Sequence, residues 1–518
     1  MPPKHEDAPL RGWRLFLTVL AINVAAFLEI LDLSIVNASV PAVAGTLGAT
    51  QSEATWAISA YALGAAVIQP VTGWLTRRFG EVRLFMGSTA LFTFASALCG
   101  AAPTLESLVL FRLLQGIVSG PMFPLSQSLM WNVVPERWHG IAQGVWGMVV
   151  LVAPVCGPLL GGWLTDEYSW RWAFYINVPL GIGVVSILWT FLGHKKETTE
   201  RIPVDVAGFV LLFLGVGALQ VAFDNGHQKD WFESSFIVVT MIVSVVALLL
   251  FTAWERYERY PVVDFTYFLR RNFWPSVAAI ALGYGAVIGV LVTYNLWLQT
   301  TIGYSATLAG LAQVPFGVAA IITAALMGVF SARIPLRTTA TVAFVLFAAG
   351  SVWLAFVPAD ATFWQLSAPR VLHGIASPLF FIMLSDIKLS GLPPERLAGG
   401  TSLSSFVRTL AMSLFTALSV TAWDQRADTH HILFAERTSP IFLSAVAPSA
   451  NGGPAPAPVT LPAPAAELSM LDAVATLKAR TLAFHDVCWL SAMVFLLAIP
   501  LIWIPRGPFV RGRAAGTH

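Results

Sequence analysis

The chain is 518 residues long, 56% hydrophobic and only 11% charged, with a net charge of +2 and a mean hydropathy of +0.72; soluble proteins average about 25% charged residues. That balance excludes a soluble globular domain and describes a protein that crosses a membrane many times. It also excludes a nucleic-acid binder, because the basic residues trace membrane edges and form no patch.

A membrane span needs roughly 20 apolar residues. Fourteen such runs occur, at roughly 14–38, 54–75, 83–101, 105–130, 139–164, 170–192, 204–223, 233–254, 273–298, 306–331, 337–357, 363–387, 397–423 and 484–504. Lys and Arg accumulate on cytoplasmic loops. With the N-terminus inside, 21 of the 30 fall on the cytoplasmic side, six fall outside, and three (Arg112, Arg370 and Arg408) lie within spans. Both termini are therefore expected in the cytoplasm. The first run exceeds the about 7–15 residues of a signal-peptide core and carries two acids, so it is expected to be retained as a span. Cys99, Cys156 and Cys488 are odd in number and sit inside apolar runs; they are expected to pack in the core rather than form a disulfide framework.

In span 1, Glu29 and Asp32 are three apart and share a helix face, separated by about 60°. Burial raises a carboxylate's proton affinity and a neighbouring arginine lowers it, so a carboxylate whose arginine contact changes with conformation is a proton switch. Asp32 with Arg112 of span 4 is the expected pair, acting in coupling or gating, or else as a static buried ion pair. Glu29 either titrates with Asp32 as a unit or turns away to bind a cationic substrate. After span 2, the loop Gly73-Trp74-Leu75-Thr76-Arg77-Arg78-Phe79-Gly80-Glu81-Val82-Arg83 joins turn glycines to positive charge at the inner face. Span 5 holds Pro154, Gly157, Pro158, Gly161 and Gly162; small residues admit a neighbouring helix closely, and the prolines kink the span.

The runs 204–223 and 233–254 are expected to form a lipid-facing scaffold pair without buried charge. The candidates for a substrate cavity are Asn37, Gln115, Trp146, Tyr284, Tyr294, Trp297, His373 and Arg408. The aromatic ones, like Trp56 and Tyr61, are otherwise packing or interfacial-belt residues. Arg370 and Arg408 either satisfy backbone as structural arginines or meet helix-end carbonyls and an anionic or zwitterionic substrate group. Asp386, two residues from Lys388, is expected to act locally at the inner end of span 12. The longest loop, about 424–483, lies outside. It opens with Asp424, Arg426, Asp428, His430 and His431, and continues through a Pro/Ala tract from Pro448 to Pro464 that should be extended. Leu468, Leu471, Val474, Leu477 and Leu482 then recur at roughly helical spacing, as an interfacial or docking helix or as a solvated loop with a frayed helix. The histidine pair has no further residue at ligand spacing, so no metal is expected.

Arg112-Leu113-Leu114-Gln115-Gly116-Ile117 returns as Arg370-Val371-Leu372-His373-Gly374-Ile375, 258 positions later. Pro135-Glu136-Arg137 returns as Pro394-Glu395-Arg396 after 259, and the pattern at Gly73 to Arg78 as Gly328 to Arg333 after 255. Matches so nearly in register indicate duplicated halves, as in secondary transporters whose halves rock about a midplane site. The expected architecture is an all-α membrane protein with 14 transmembrane helices: six-helix halves at 13–192 and 273–504, the second including the outer loop 424–483, and an inserted pair at 204–254. No G-x-x-x-x-G-K-[ST], H-E-x-x-H or G-x-S-x-G motif occurs, so transport driven by a gradient is expected rather than enzymatic chemistry. Only the first copy of the repeat has an acid pair in its partner span, which assigns coupling to Arg112 and leaves Arg370 to the fold or the substrate cavity.

These segments together resemble the fourteen-span drug/proton antiporter branch of the major facilitator superfamily, and within it the EmrB-type exporters, over about residues 13–505. Leu31 to Pro41 carries that branch's first-span motif, Gly73 to Arg83 the loop motif, Arg112 to Gly116 the fourth-span arginine motif, and Gly157-Pro158 with Gly161-Gly162 the antiporter motif. Trp170 to Pro179 and Ser390 to Arg396 are similar to the EmrB type itself. The resemblance implies the major facilitator fold, a proton-coupling role for Asp32 and Arg112, and export of hydrophobic drugs at the expense of a proton gradient, with no cofactor. It further implies a multi-pass place in the inner membrane of a two-membrane cell, with a periplasmic adaptor of the EmrA type and a TolC-type outer-membrane channel as partners, the outer loop contributing to that contact. The alternatives are a narrow exporter of one metabolite, such as a siderophore or fatty acid, and a non-transporting membrane scaffold. Two departures stand out: Arg77 occupies the place of the loop motif's acid, and Glu29 is an acid the pattern does not require.

Overall fold

The computed structural model describes residues 11–135, 138–194, 197, 199–200, 203–226, 229–330, 334–446, 464–507 and 509, among which there is no strand. Thirteen helices in it are long and apolar enough to cross a membrane; another, His139–Glu167, occupies the fifth expected span. The chain is a multi-pass membrane protein. In chain order the helices are α1 (Gly12–Leu47), α2 (Trp56–Phe79), α3 (Glu81–Ala101), α4 (Leu105–Val133), α5 (His139–Glu167), α6 (Trp172–Leu192), α7 (Val206–Gly226) and α8 (Ser235–Glu255). They continue as α9 (Phe273–Thr300), α10 (Thr307–Met327), α11 (Leu336–Leu354), α12 (Phe363–Leu389), α13 (Pro394–Val446) and α14 (Pro464–Trp503).

Local chemistry sets the ends and breaks. Pro70 lacks an N–H donor, and α2 tightens there into a 3-10 turn over Gln69–Val71. α4 starts on a reciprocal cap between Thr104 and Ser107, and α12 on the same device between Thr362 and Gln365, which satisfies first-turn donors. Gly80 has φ +90°, a conformation that side chains disfavour, and there the chain turns from α2 into α3.

The first six helices and the last six pack in the same pairs. α1 lies on α5 and α6, α2 on α4, and α3 on α4 and α6; correspondingly α9 lies on α13 and α14, α10 on α12, and α11 on α12 and α14. The repeat glycine explains part of this: a Cβ on Gly116 would strike the Tyr61 carbonyl of α2, and one on Gly374 would strike the Phe316 carbonyl of α10. Only glycine permits so close a crossing. The second motif repeat has a structural use in its later copy, where Arg396 pairs with Asp264 in the α8–α9 connection. Burial works against ionisation there, but bonds from Thr266 and Arg396 hold the Asp264 carboxyl below its ordinary value. Arg137, the earlier copy, and Arg333 lie outside the described residues.

Two expectations need correction. α7 and α8 outrun their apolar segments and so draw acids into their ends: Asp224 accepts a 3.0 Å bond from Gln220, and buried Glu255 accepts one of 3.2 Å from the Val262 N–H. Nor does the pair face lipid alone. Gln220 donates to Ser413 of α13 at 2.8 Å and Trp231 to Thr421 at 2.8 Å, while α7 also packs on α2. The outer loop is likewise more ordered than its composition suggested: its beginning prolongs α13 to Val446 and its end is the start of α14. Arg426 and His430 both meet Asp486, at 2.7 and 2.8 Å, His431 meets Asp472 at 2.9 Å, and Trp423 donates to the Arg480 carbonyl at 2.9 Å. These contacts zip the two extensions together. Residues 447–463, the heart of the Pro/Ala tract, lie outside the described residues.

Candidate functional site

Asp32 and Arg112 form an ion pair with both side chains fully buried. Asp32 also accepts from Gln115 at 3.1 Å and from Asn177 at 2.8 Å. Three donors and no acceptor thus face its two oxygens, an arrangement suited to a carboxylate. Arg112 is held independently of the acid, donating at 3.0 Å to the Ala57 carbonyl and at 3.0 Å to Gln115, with the Tyr61 ring 4.2 Å beneath its guanidinium. Asn177 in turn donates to Ser96 at 3.0 Å. Every one of these partners belongs to α1–α6. The site is internal to the first half and sealed from solvent in this conformation.

The antiporter-motif glycines sit behind it. A Cβ on Gly157 would collide with Ser34, and one on Gly161 with the Ile35 carbonyl, whereas Gly162 has open space. Gly157 and Gly161 therefore let α5 press on α1 within one turn of Asp32. Pro154 is part-buried, and the side chains of Pro158 and Asn37 lie outside the described residues.

At the loop motif, a Cβ on Gly73 would come within 2.8 Å of the Gly399 Cα, so α2 and α13 touch there. Arg77 donates to the Pro261 carbonyl at 3.1 Å. Arg78 lies 5.3 Å from the Trp74 ring, and Arg83 is exposed. Sequence reasoning missed Glu197, whose carboxylate accepts from the Val82 and Arg83 N–H groups at 2.7 and 3.3 Å at the start of α3. An acid is favourable at that helix end; it arrives from a loop more than 100 residues away, so no local pattern announces it.

The second half builds a different site at the equivalent place. Arg370 donates to Gln313 at 2.9 Å and to His373 at 2.8 Å, and His373 reaches Ser351 and the Phe347 carbonyl, each at 3.1 Å. α9 contains no acid to stand where Asp32 stands. Tyr294 and Trp297 are fully buried, with Tyr294 bonded to the Leu366 carbonyl at 2.9 Å, Trp297 to Thr481 at 3.2 Å, and Trp297 stacked on Phe484 at 4.6 Å. They are placed with Val487 and Cys488 in a packed cluster of the second half.

Other candidates gather where the halves meet. Trp146 is buried, donates to Ser126 at 2.8 Å, and packs between Phe123 and Phe381, the latter from α12. Arg408 lies over Phe123 at 4.0 Å and Tyr284 at 4.9 Å. Glu29 of α1 lies within electrostatic reach of both groups, its charge interacting with Arg408 and, more weakly, with Asp32. Towards the ends carrying the basic loops, Gln127 donates to Ser385 at 3.3 Å, while Lys388, 3% exposed, reaches Gln127 at 3.3 Å and Ser404 at 2.9 Å. Ser402 bonds the Gln69 carbonyl. These contacts close the bundle on that side, and no sequence pattern had singled out Gln127, Ser385 or Ser404.

Over residues 22–416 the sequence matches the Major Facilitator Superfamily. It is 37% identical to the multidrug export protein EmrB of Escherichia coli (strain K12), with 99% of each chain covered. It is 39% identical to the protein of that name from Haemophilus influenzae, covering 97% of this chain and 98% of the other. The fatty acid resistance protein FarB of Neisseria gonorrhoeae is 36% identical, with 98% and 99% covered. Among solved structures, the proton:xylose symporter XylE superposes with a TM-score of 0.58 at 12% identity over 95% of each chain. The human organic anion transporter MFSD10 does so with 0.56 at 12%, over 94% of this chain and 99% of its own. At such identities these two speak for the fold alone.

Proposed function

The chain belongs to the Major Facilitator Superfamily, as an EmrB-like member, and from that premise we propose that it is a proton-driven exporter of hydrophobic compounds working by alternating access. The observation that carries this reading is the sealed Asp32–Arg112 pair, an ion pair placed inside a membrane bundle where ionisable groups are costly and serve function. A proton reaching Asp32 from outside must displace a donor, and Arg112 can release the acid while the Ala57 carbonyl and Gln115 still hold it. The loosened first half then favours the outward, drug-releasing arrangement; loss of the proton to the inside restores the pair and lets drug bind again. The driving force is about 2.3 kcal/mol per charge per 100 mV, together with the pH difference.

By the same reading the protein sits in an inner membrane with both termini cytoplasmic, and hands its substrates to an adaptor of the EmrA type and a TolC-type channel. The α13–α14 extensions are the element that reaches out towards such a partner. The 36% identity with a fatty acid resistance protein favours a second reading, a narrow exporter of fatty acids. Uptake into inverted vesicles, with and without a proton gradient, separates the two when cationic, neutral and anionic drugs are tested beside long-chain fatty acids. Gradient-dependent uptake of several unrelated drugs is expected; uptake of fatty acids alone selects the second reading, and no gradient-dependent uptake contradicts both.

A further inference from the structure

We propose that Glu29 and Arg408 form a charge clamp for aromatic zwitterions, one half of the transporter holding the cationic end of the substrate and the other half its anionic end. This deepens the export reading above and rests on it for the word substrate.

Both side chains are more than nine-tenths buried, Glu29 at 6% and Arg408 at 8% exposure. Glu29 comes from α1 and Arg408 from α13, so the pair straddles the line along which the halves separate. Each feels the other's charge, yet Glu29 Oε2 and Arg408 Nε both lack a hydrogen-bond partner. Each residue thus keeps one buried polar atom unpaired, and leaving such an atom unsatisfied is costly. Asp32, three residues from Glu29, shows the contrast: both of its oxygens already accept from protein donors. The nearby cation of α12, Lys388, is already engaged by Gln127 and Ser404.

The surroundings supply the remaining recognition. Phe123 and Tyr284 cover Arg408 at 4.0 and 4.9 Å, and Trp146 lies 4.9 Å from Phe123. Aromatic walls favour flat aromatic ligands. Opposite charges on facing halves then decide the ligand's charge pattern. A permanent cation satisfies Glu29 but confronts Arg408 with a like charge, and an anion does the reverse. Only a ligand bearing both charges satisfies both residues, and it replaces the attraction between the halves that it interrupts.

Three xanthene dyes test this, because they share one aromatic core: rhodamine B is a zwitterion, its ethyl ester a cation, and fluorescein an anion. Fluorescence polarisation on the purified full chain, in the absence of any gradient, reads binding alone, so a failure of proton-driven export and a failure of the clamp appear in different measurements. The wild type is expected to bind rhodamine B about tenfold or more tighter than either other dye, the ordinary size of a contact to a charged group. Arg408→Gln should bring rhodamine B down to the affinity of its ester. Glu29→Gln should weaken both cation-bearing dyes and strengthen fluorescein. Equal affinities for the three dyes in the wild type would overturn the clamp without reference to any variant, as would a zwitterion preference that survives both substitutions in protein of unchanged thermal stability.

Discussion

Around Asp32, three donors arrive from two different helices, α4 and α6, and the two from α4 are joined by a bond of their own. Asn177→Ala removes a single donor from a charged acceptor and leaves Arg112 anchored; contacts of that kind are worth about 1.5–3 kcal/mol. Proton-coupled transport should fall by roughly an order of magnitude while the protein remains folded, and an unaltered rate would show that Asn177 is a bystander. Arg112→Lys should be more severe, since an ammonium cannot reproduce the planar fork that serves Asp32, Ala57 and Gln115 together. Asp32 and Arg112 were legible in the sequence because charges inside apolar runs are rare. Asn177 was not, because a neutral amide at the head of α6 carries no such signal and meets Asp32 only 145 positions away. Tyr294 and Trp297 show the limit of composition: aromatics occur on every face of a membrane helix, and in this conformation the two lie buried in a packed cluster.

At the scale of elements, the antiporter motif divides by contact rather than by residue type. Gly157→Val forces atoms into Ser34 of α1, whereas Gly162→Ala enters open space. Overpacking of this kind costs about 1–3 kcal/mol, so Gly157→Val should lower the melting temperature in detergent and abolish export. Gly162→Ala should leave both unchanged; equal effects from the two would show that the motif acts by some means other than helix approach. Span positions were readable from hydropathy, which sees about 20 apolar residues regardless of their neighbours. Helix ends were not. α13 runs on past its apolar part because Arg426, His430 and His431 find Asp486 and Asp472 on α14, a pairing of residues far apart in the chain, whereas α7 and α8 extend over Asp224 and Glu255 with local partners, Gln220 and the Val262 N–H.

For the whole molecule, closure of the bundle at the ends bearing the basic loops is the state that must give way during transport. Gly73 and Gly399 approach so closely there, a Cβ on Gly73 falling 2.8 Å from the Gly399 Cα, that Gly73→Val should force α2 and α13 apart, destabilise the closed bundle and lower transport. Thermal stability and transport left unchanged by that substitution would mean that the contact does not hold the closed state. The duplication was visible in three repeated motifs, and so was the missing acid of the second half; which residues face Arg370 instead needed the structure. Arg112 faces an acid, while Arg370 faces Gln313 and His373, and on this asymmetry rests the proposal that coupling belongs to the first half. The most direct test is therefore proton movement in proteoliposomes carrying a pH-sensitive dye, triggered by drug, for the wild type beside Asp32→Asn. The substituted protein should still bind drug but move no protons with it; drug-driven proton movement at the wild-type rate would contradict the assignment of coupling to the Asp32–Arg112 pair.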